Sequence, residues 1–171
     1  MESSDVSTPS PPCLVDGVER WAHAGSVADL EHSGGRKCVE IEHNVSGGTA
    51  KRLIALFKHK GSVYALDAKC QHLGGPLEVG DIEELADGCP VVVCPWHQQR
   101  IYLDNGESAG TDIWEMNAAA ISASGGQRSG VIQQRAHPVV EHGGVLWIGI
   151  QASEAYDEPL LSDLYSVKLS D

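Results

Sequence analysis

Two short segments of the sequence each carry a cysteine and a histidine that lie close enough to act together. The first contains Cys70 and His72, and the second contains Cys94 and His97. Thiolate and imidazole are ligands of structural zinc sites, and also of iron–sulfur clusters in which histidine replaces some of the cysteines. The sequence therefore predicts a metal centre assembled from two loops.

The distribution of these four residues favours iron over zinc. Structural zinc sites of this ligand set usually take both cysteines from one short knuckle and both histidines from another. Here each segment supplies one of each, which suits a two-iron cluster with the cysteines on one iron and the histidines on the other. A zinc-stabilised interaction module without redox activity is the alternative from a different class.

A cysteine hydrolase is a weaker interpretation of the same residues. Cys94 and His97 would supply its nucleophile and base. The pair at Cys70 and His72 has no role in such a mechanism. The remaining cysteines, Cys13, Cys38 and Cys89, are expected to be ordinary packing residues.

The segments around these loops have the pattern of an antiparallel, all-β domain. Short apolar runs are separated by turn signals. The runs lie at 37–43, 51–68, 90–96, 100–104, 130–142 and 144–150. We expect a hairpin with its tip at Lys60 and Gly61, a loop over 71–80 and a long surface excursion over 117–130.

The length of the chain, 171 residues with 42% hydrophobic content, suits one domain with a substantial core. Residues 1–17 are rich in serine and proline and are predicted to be a disordered tail. We assign the domain to 18–151, with its metal loops at 70–77 and 94–99. Residues 152–171 are a C-terminal extension whose sequence leaves open whether it lies along the domain or is disordered.

Charge and hydropathy restrict the classes of partner. Acidic residues outnumber basic ones 24 to 12, and no stripe of lysine and arginine is present, so neither nucleic acid nor an anionic membrane is an expected partner. No apolar run reaches the roughly 18 residues of a membrane helix, and the first residues lack a targeting signal. An odd number of cysteines favours reduced thiols and a cytoplasmic location.

CQHLGGPL followed by CPWH resembles the two cluster-binding loops of Rieske proteins, whose pattern is Cys-x-His and then Cys-x-x-His. WAHAGSVADL, the hairpin before the first loop, DNGE and GGVLWIGI extend the likeness over roughly 20–150. The resemblance implies the Rieske fold, an antiparallel β-sandwich-like base domain with a small two-loop cluster-binding subdomain. It also implies one [2Fe–2S] cluster per chain and transfer of single electrons.

The resemblance also implies the roles of individual residues. Cys70 and Cys94 would bind one iron, and His72 and His97 the other. The residues expected to shape or shield the loops are Gly74, Gly75, Pro76, Pro95, Trp96 and Gln99.

Departures from the respiratory Rieske pattern indicate a ferredoxin. The two extra cysteines of respiratory proteins, which form a disulfide between the loops, correspond to Gly75 and Trp96. The serine and tyrosine that donate to the sulfurs correspond to Gln99 and Ile101, and Tyr102 would face the other way. With fewer donors, we expect a potential toward the low end of the roughly −150 to +300 mV Rieske range.

The stretch between the two loops is acidic and contains no lysine or arginine from position 78 to 87. One interpretation is a docking patch that steers a basic partner. The other is a solvated loop that keeps the protein in solution. The residues of this acidic segment are Glu78, Asp81, Glu83, Glu84 and Asp87.

The resulting hypothesis is a monomeric, soluble, low-potential Rieske-type ferredoxin. Its donor would be an NAD(P)H-dependent or ferredoxin-type reductase, and its acceptor an oxygenase or another redox enzyme. A small Rieske subunit of a larger reductase or oxygenase complex is the alternative.

The chain itself is not expected to be an enzyme. The segment after His97 is too short for the catalytic domain of Rieske oxygenases, and His137 and His142 would point to opposite faces of a strand. Four further histidines are expected at the surface: His23, His32, His43 and His59.

Overall fold

A computed structural model describes residues 18–45, 48–109, 128–132, 134–151 and 159–169. Within these ranges the chain is built mainly of strands, and every strand pairing is antiparallel. The all-β prediction is therefore confirmed. The predicted tail at 1–17 and most of the predicted excursion at 117–130 lie outside the described residues. No helix of the described part is long and apolar enough to cross a membrane.

The described residues form thirteen strands, two short helices and one 3₁₀ turn. The first strands are β1 (Val18–Ser26), β2 (Arg36–Val45), β3 (Gly48–His59), β4 (Ser62–Asp67), β5 (Asp81–Glu84) and β6 (Pro90–Val93). The later strands are β7 (Arg100–Tyr102), β8 (Glu107–Ala109), β9 (Arg128–Ile132), β10 (Ala136–His137), β11 (Val139–His142), β12 (Val145–Gln151) and β13 (Val167–Leu169). The helical elements are α1 (Val27–His32), α2 (Asp163–Ser166) and a 3₁₀ turn at Leu77–Val79.

The strands are arranged in three sheets. The first has the order β1-β12-β11, and the third has the order β5-β6-β7-β8-β9. The central sheet has the order β10-β4-β3-β13, and β2 also pairs with β3. β2 pairs with β3 from Gly48 to Phe57 and therefore occupies one side of β3. β4 and β13 both pair with its other side.

The hairpin between β3 and β4 has its tip at Lys60 and Gly61, as the sequence predicts. Both residues have positive φ, 47° and 85°, and His59 pairs with Ser62 across the turn. Two successive residues with positive φ are typical of the type I′ turn, whose twist matches that of antiparallel strands. This hairpin leads directly into the loop that carries Cys70 and His72.

The central sheet is buried on both faces because its side chains alternate between two cores. Ile54 and Leu56 face a core shared with β1 and β12, whereas Ala55 and Phe57 face a core shared with β6 and β7. The second core also includes Cys70 and is completed by Leu66, Ala68, Leu77, Val92, Cys94, Ile101 and Leu103. The continuous apolar run LIALF thus reflects burial on two sides.

Candidate metal centre

The first cysteine–histidine loop, residues 70–77, connects β4 to the 3₁₀ turn. The N–H of Cys70 donates to the carbonyl of Gly75, and the N–H of Gly74 donates back to the carbonyl of Cys70, each at 2.8 Å. Gly74 has a φ of +76°, which costs a glycine little. A bridge between Lys69 and Pro76 closes the base of the loop.

The second loop, residues 94–99, connects β6 to β7. The N–H of Cys94 donates to the carbonyl of Gln99 at 2.8 Å, and the N–H of Gln98 donates to the carbonyl of Cys94 at 3.0 Å. Gln98 has a φ of +60°. The loop is therefore a compact hairpin connection that closes on its own backbone.

The two loops bring the two cysteines together. Both side chains are buried: Cys70 is fully buried, and Cys94 is 1% exposed. A hydrogen bond from Cys70 to the sulfur of Cys94 lowers the pKa of the Cys94 thiol to about 6, and the same bond raises the pKa of Cys70. Backbone N–H groups of Trp96 and His97 also point at the Cys94 sulfur. The Cys94 thiolate is the form that these donors favour.

The two loops also bring the two histidines together. The ring centroids of His72 and His97 lie 4.8 Å apart with an interplanar angle of 78°. His72 is half-buried and His97 is exposed. Burial, followed by the nearby His97, lowers the pKa of His72, so its imidazole is neutral and able to bind metal near neutral pH.

Gly75 lies where the loops meet and leaves room for no side chain. A Cβ at this position would be 2.6 Å from Cys94 Sγ and 3.3 Å from the ring of Trp96. A cysteine at position 75 would therefore require the loops to move apart. Trp96 is 58% exposed while its ring packs against Gly75.

The residues present fit a mixed-ligand iron–sulfur cluster. Two cysteine sulfurs that accept from backbone N–H groups form one pair and two imidazole rings form the other, which is the donor set of such a cluster. Among the described residues, no three His, Cys, Asp or Glu side chains are grouped around a single ion position.

Three residues lie at or next to the positions where the respiratory pattern places hydroxyl donors. Ile101 is fully buried in the core next to the cysteines. The hydroxyl of Tyr102 donates to Asp87 Oδ2 at 3.0 Å, and its ring lies under Arg128. Gln99 is 8% exposed, and its Nε2 is 3.5 Å from the carbonyl of Arg100. Tyr102 therefore faces Asp87 on the neighbouring turn.

Asp81–Glu84 of the acidic segment form β5 and pair with β6, and the side chains of Asp81, Glu83 and Glu84 are exposed. Each of its acids contacts another group of the chain. The partners are Lys69 for Glu78, Arg36 for Asp81, Arg100 for Glu83, Lys60 for Glu84 and Tyr102 for Asp87. The basic partners come from outside the segment, so its sequence overstates its net charge.

Gln134 supports the first loop, although nothing in the sequence singles it out. Its Oε1 accepts from the N–H of Gln71 at 2.8 Å. Its Nε2 donates to the carbonyls of Asp67 and Lys69 at 2.7 and 3.0 Å. One fully buried side chain thus holds backbone on both sides of Cys70.

A buried ionic network lies beneath the first loop. Arg52 Nη1 donates to both carboxylate oxygens of Asp67 at 3.0 and 2.9 Å. His137 Nε2 donates to Asp67 Oδ1 at 2.9 Å, and burial lowers the pKa of this histidine. Burial alone would raise the pKa of Asp67, but His137 and Arg52 hold it below its usual value. In the sequence, the one feature that indicates this network is an arginine inside the apolar strand β3.

The histidines predicted at the surface divide into two groups. His23 and His32 are exposed and His59 is half-buried, but the prediction for His43 is wrong because its side chain is 2% exposed. Burial and then the charge of Arg52 lower the pKa of His43 to about 4. Strand alternation in β2 turns this residue inward.

Comparison with known proteins gives three similarities. The human Rieske domain-containing protein is 41% identical over 97 residues, which cover 57% of this chain and 59% of that protein. The ferredoxin of carbazole 1,9a-dioxygenase from Nocardioides aromaticivorans IC177 is 19% identical, with 77% of this chain and 98% of that chain covered and a TM-score of 0.46. A putative NADH-dependent nitrite reductase small subunit from Mycobacterium tuberculosis is 17% identical, with 78% of this chain and 96% of that chain covered and a TM-score of 0.47.

The family similarity covers most of the chain. The sequence profile described as soluble Rieske-type ferredoxin matches residues 34–153, which contain both cysteine–histidine loops. This range also contains all the strands of the third sheet. The chain belongs to the family of soluble Rieske-type ferredoxins.

Proposed function

We propose that the protein carries single electrons through a [2Fe–2S] cluster held by Cys70 and Cys94 on one iron and by His72 and His97 on the other. The observation that carries this proposal is the sorting of the four side chains into a cysteine pair and a histidine pair. When bound, such a cluster supplies a one-electron couple.

Backbone N–H groups around the cysteine pair would stabilise negative charge on the two sulfurs. Backbone N–H groups donate to both sulfurs, from His72 and Leu73 to Cys70 and from Trp96 and His97 to Cys94. The two cysteines are almost completely buried, which excludes water from this side of the site. Hydrogen bonds to metal-bound sulfur tune the reduction potential, so this backbone contributes to it.

The histidine pair would form the electron exit. Neutral imidazoles carry no charge, so they raise the potential above that of an all-cysteine site. Of the two rings, His97 is exposed, so a partner can approach it directly. A buried Ile101 in place of a hydroxyl donor supports a potential toward the low end of the Rieske range.

The proposed partners follow from the family. A ferredoxin passes electrons between enzymes, so the donor would be an NAD(P)H-dependent or ferredoxin-type reductase, and the acceptor an oxygenase or another redox enzyme. A cytoplasmic monomer without catalytic activity of its own is part of the same proposal. The chain spans 59% of its human relative's length.

The test is a redox titration of anaerobically purified protein, monitored by EPR and accompanied by metal analysis. We expect two irons per chain and a signal with a mean g below the free-electron value that appears at low potential. Stoichiometric zinc without a signal would support the interaction module instead. A potential near the top of the Rieske range would overturn the low-potential assignment.

His72→Cys examines the ligand assignment with the same titration. A thiolate in place of an imidazole adds negative charge to the site, so the potential should fall and the spectrum should change. His142→Cys makes the same substitution at an exposed histidine of β11 and should leave both unchanged. An unaltered potential and spectrum in the His72 variant would remove it from the ligand set.

The acidic segment remains the predicted docking patch for a basic partner. Electron-transfer rates of a Glu83→Gln/Glu84→Gln variant should depend less on salt than those of the wild type. Glu31→Gln/Glu40→Gln is a matched control, because these acids also pair with basic side chains, Lys58 and Lys51. Equal salt slopes in all three proteins would eliminate docking at this segment.

A further inference from the structure

The C-terminal segment 159–169 lies directly against the first cysteine–histidine loop. The ring of Tyr165 packs on Gly74 so closely that a Cβ there would be 2.9 Å from Tyr165 Cδ1. The hydroxyl of Ser166 accepts from the N–H of Lys69 at 3.1 Å. The segment therefore contacts the loop on both sides of Cys70.

The same segment is fixed to the base domain. β13 pairs with β3, where Val167 lies opposite Arg52. Asp163 accepts from Arg52 Nη1 at 2.6 Å and from Arg135 Nη2 at 2.9 Å. Its pKa is about 2, because the hydrogen bonds from Arg135 and Leu160 and the charge of Arg52 outweigh the effect of burial. Asp163 is therefore ionised and anchored between two arginines.

Ser162 joins this anchor to the strand that enters the first loop. Its hydroxyl donates to Asp67 Oδ2 at 2.6 Å and accepts from the N–H of Arg135 at 3.1 Å. Asp67 is the last residue of β4. Displacement of the C-terminal segment would thus alter the hydrogen bonding of the chain immediately before Cys70.

The first loop needs such external support for a physical reason. Two consecutive glycines, Gly74 and Gly75, give its backbone more conformational freedom than other residues would. Gly75 lies so close to Cys94 that position 75 has no space for the side chain of a disulfide between the loops. Neither Cys70 nor Cys94 forms a disulfide.

We propose that residues 159–169 form a strap that fixes the first loop in position, with Tyr165 as its positioning residue on Gly74. The strap deepens the proposed function, since it would hold the loop that supplies one cysteine and one histidine to the metal centre. Its contribution is local, because Tyr165 is 38% exposed and contributes little to either core.

The test is backbone hydrogen exchange, followed by mass spectrometry, on full-length protein carrying the metal with which it purifies. Tyr165→Ala should accelerate exchange in the peptide 69–76 by about tenfold and leave 94–99 and β3 unchanged. Tyr165→Phe retains the ring and should restore the wild-type rate. Leu164→Ala, at a neighbouring side chain that is 72% exposed, should also exchange as the wild type does.

Wild-type exchange in the Tyr165→Ala variant would overturn the strap. So would equal acceleration in every peptide, because that result reports loss of global stability rather than release of one loop. Metal analysis of the same samples tests the electron-transfer function separately. Zinc in the wild-type protein would overturn that function, while the exchange rates would still decide the role of Tyr165.

Discussion

The two cysteine–histidine loops are built by different means. The second loop closes through backbone hydrogen bonds between residues no more than five positions apart, from Cys94 to Gln99. The first loop also has such bonds, but it is braced by Gln134 and Ser166, which lie 63 and 97 positions from the amides they contact. One loop is a local hairpin, and the other depends on the whole domain being folded.

This difference determines how each loop responds to change. A local hairpin connection forms when its flanking strands pair, so distant substitutions should affect it little. The first loop lies above buried charges and amides whose partners come from three other parts of the chain. Removal of one buried partner leaves the others unsatisfied, which costs more than the contact itself contributes.

The largest effect is expected from Asp67→Asn. The substitution removes the buried charge that faces Arg52 and accepts from His137 and Ser162. Loss of one member of a buried ion pair typically costs about 3–5 kcal/mol. Urea unfolding followed by circular dichroism should show this loss of stability.

Asp104→Asn is the matched control, because Asp104 pairs with Arg128 at the surface at 2.7 Å. Exposed ion pairs contribute about 0–1 kcal/mol, so this variant should unfold close to the wild-type midpoint. Similar losses in both variants would contradict the importance of the network beneath the first loop.

A second pair of variants compares the loops directly. Gln134→Leu removes one acceptor and two donors at the first loop, which should cost about 2–3 kcal/mol because the buried backbone groups lose their partner. Gln99→Leu, in the second loop, removes only a contact of 3.5 Å to the carbonyl of Arg100. It should cost less than about 1 kcal/mol, and equal costs would show that the loops do not differ in this way.

The sequence predicts the local features of this fold well. The hairpin at Lys60 and Gly61, the strands on either side of it and the pairing of CQHLGGPL with CPWH all depend on short patterns. Strand periodicity and turn residues act within a few positions, so they are readable without a structure. The second loop, which closes on itself, belongs to this class.

Long-range features escape sequence reasoning for the same physical reason. The cationic partners of Glu83 and Glu84, Arg100 and Lys60, lie outside the acidic segment and meet it only after the strands pair. Gln134 has no distinctive neighbours in the sequence. A charged residue inside an apolar strand, as at Arg52, is the signal that a buried network is present.

The smallest predicted effect concerns the pH dependence of stability near the ionic network. His43 has a pKa of about 4 in the folded protein, below its ordinary value of 6.5, because it is buried close to Arg52. The unfolded chain therefore binds a proton at this residue before the folded protein does. The resulting stabilisation is fully present above pH 6.5 and is lost as the pH falls toward 4.

A His43→Gln variant isolates this contribution, because it removes the titrating group and leaves His137 in place. Between pH 7.5 and pH 5 the wild type should lose about 2 kcal/mol more stability than the variant. Urea unfolding at the two pH values measures that difference. An exposed His43 would titrate alike in both states and give parallel pH profiles, so parallel profiles would show that β2 does not bury this side chain beside the charges that support the first loop.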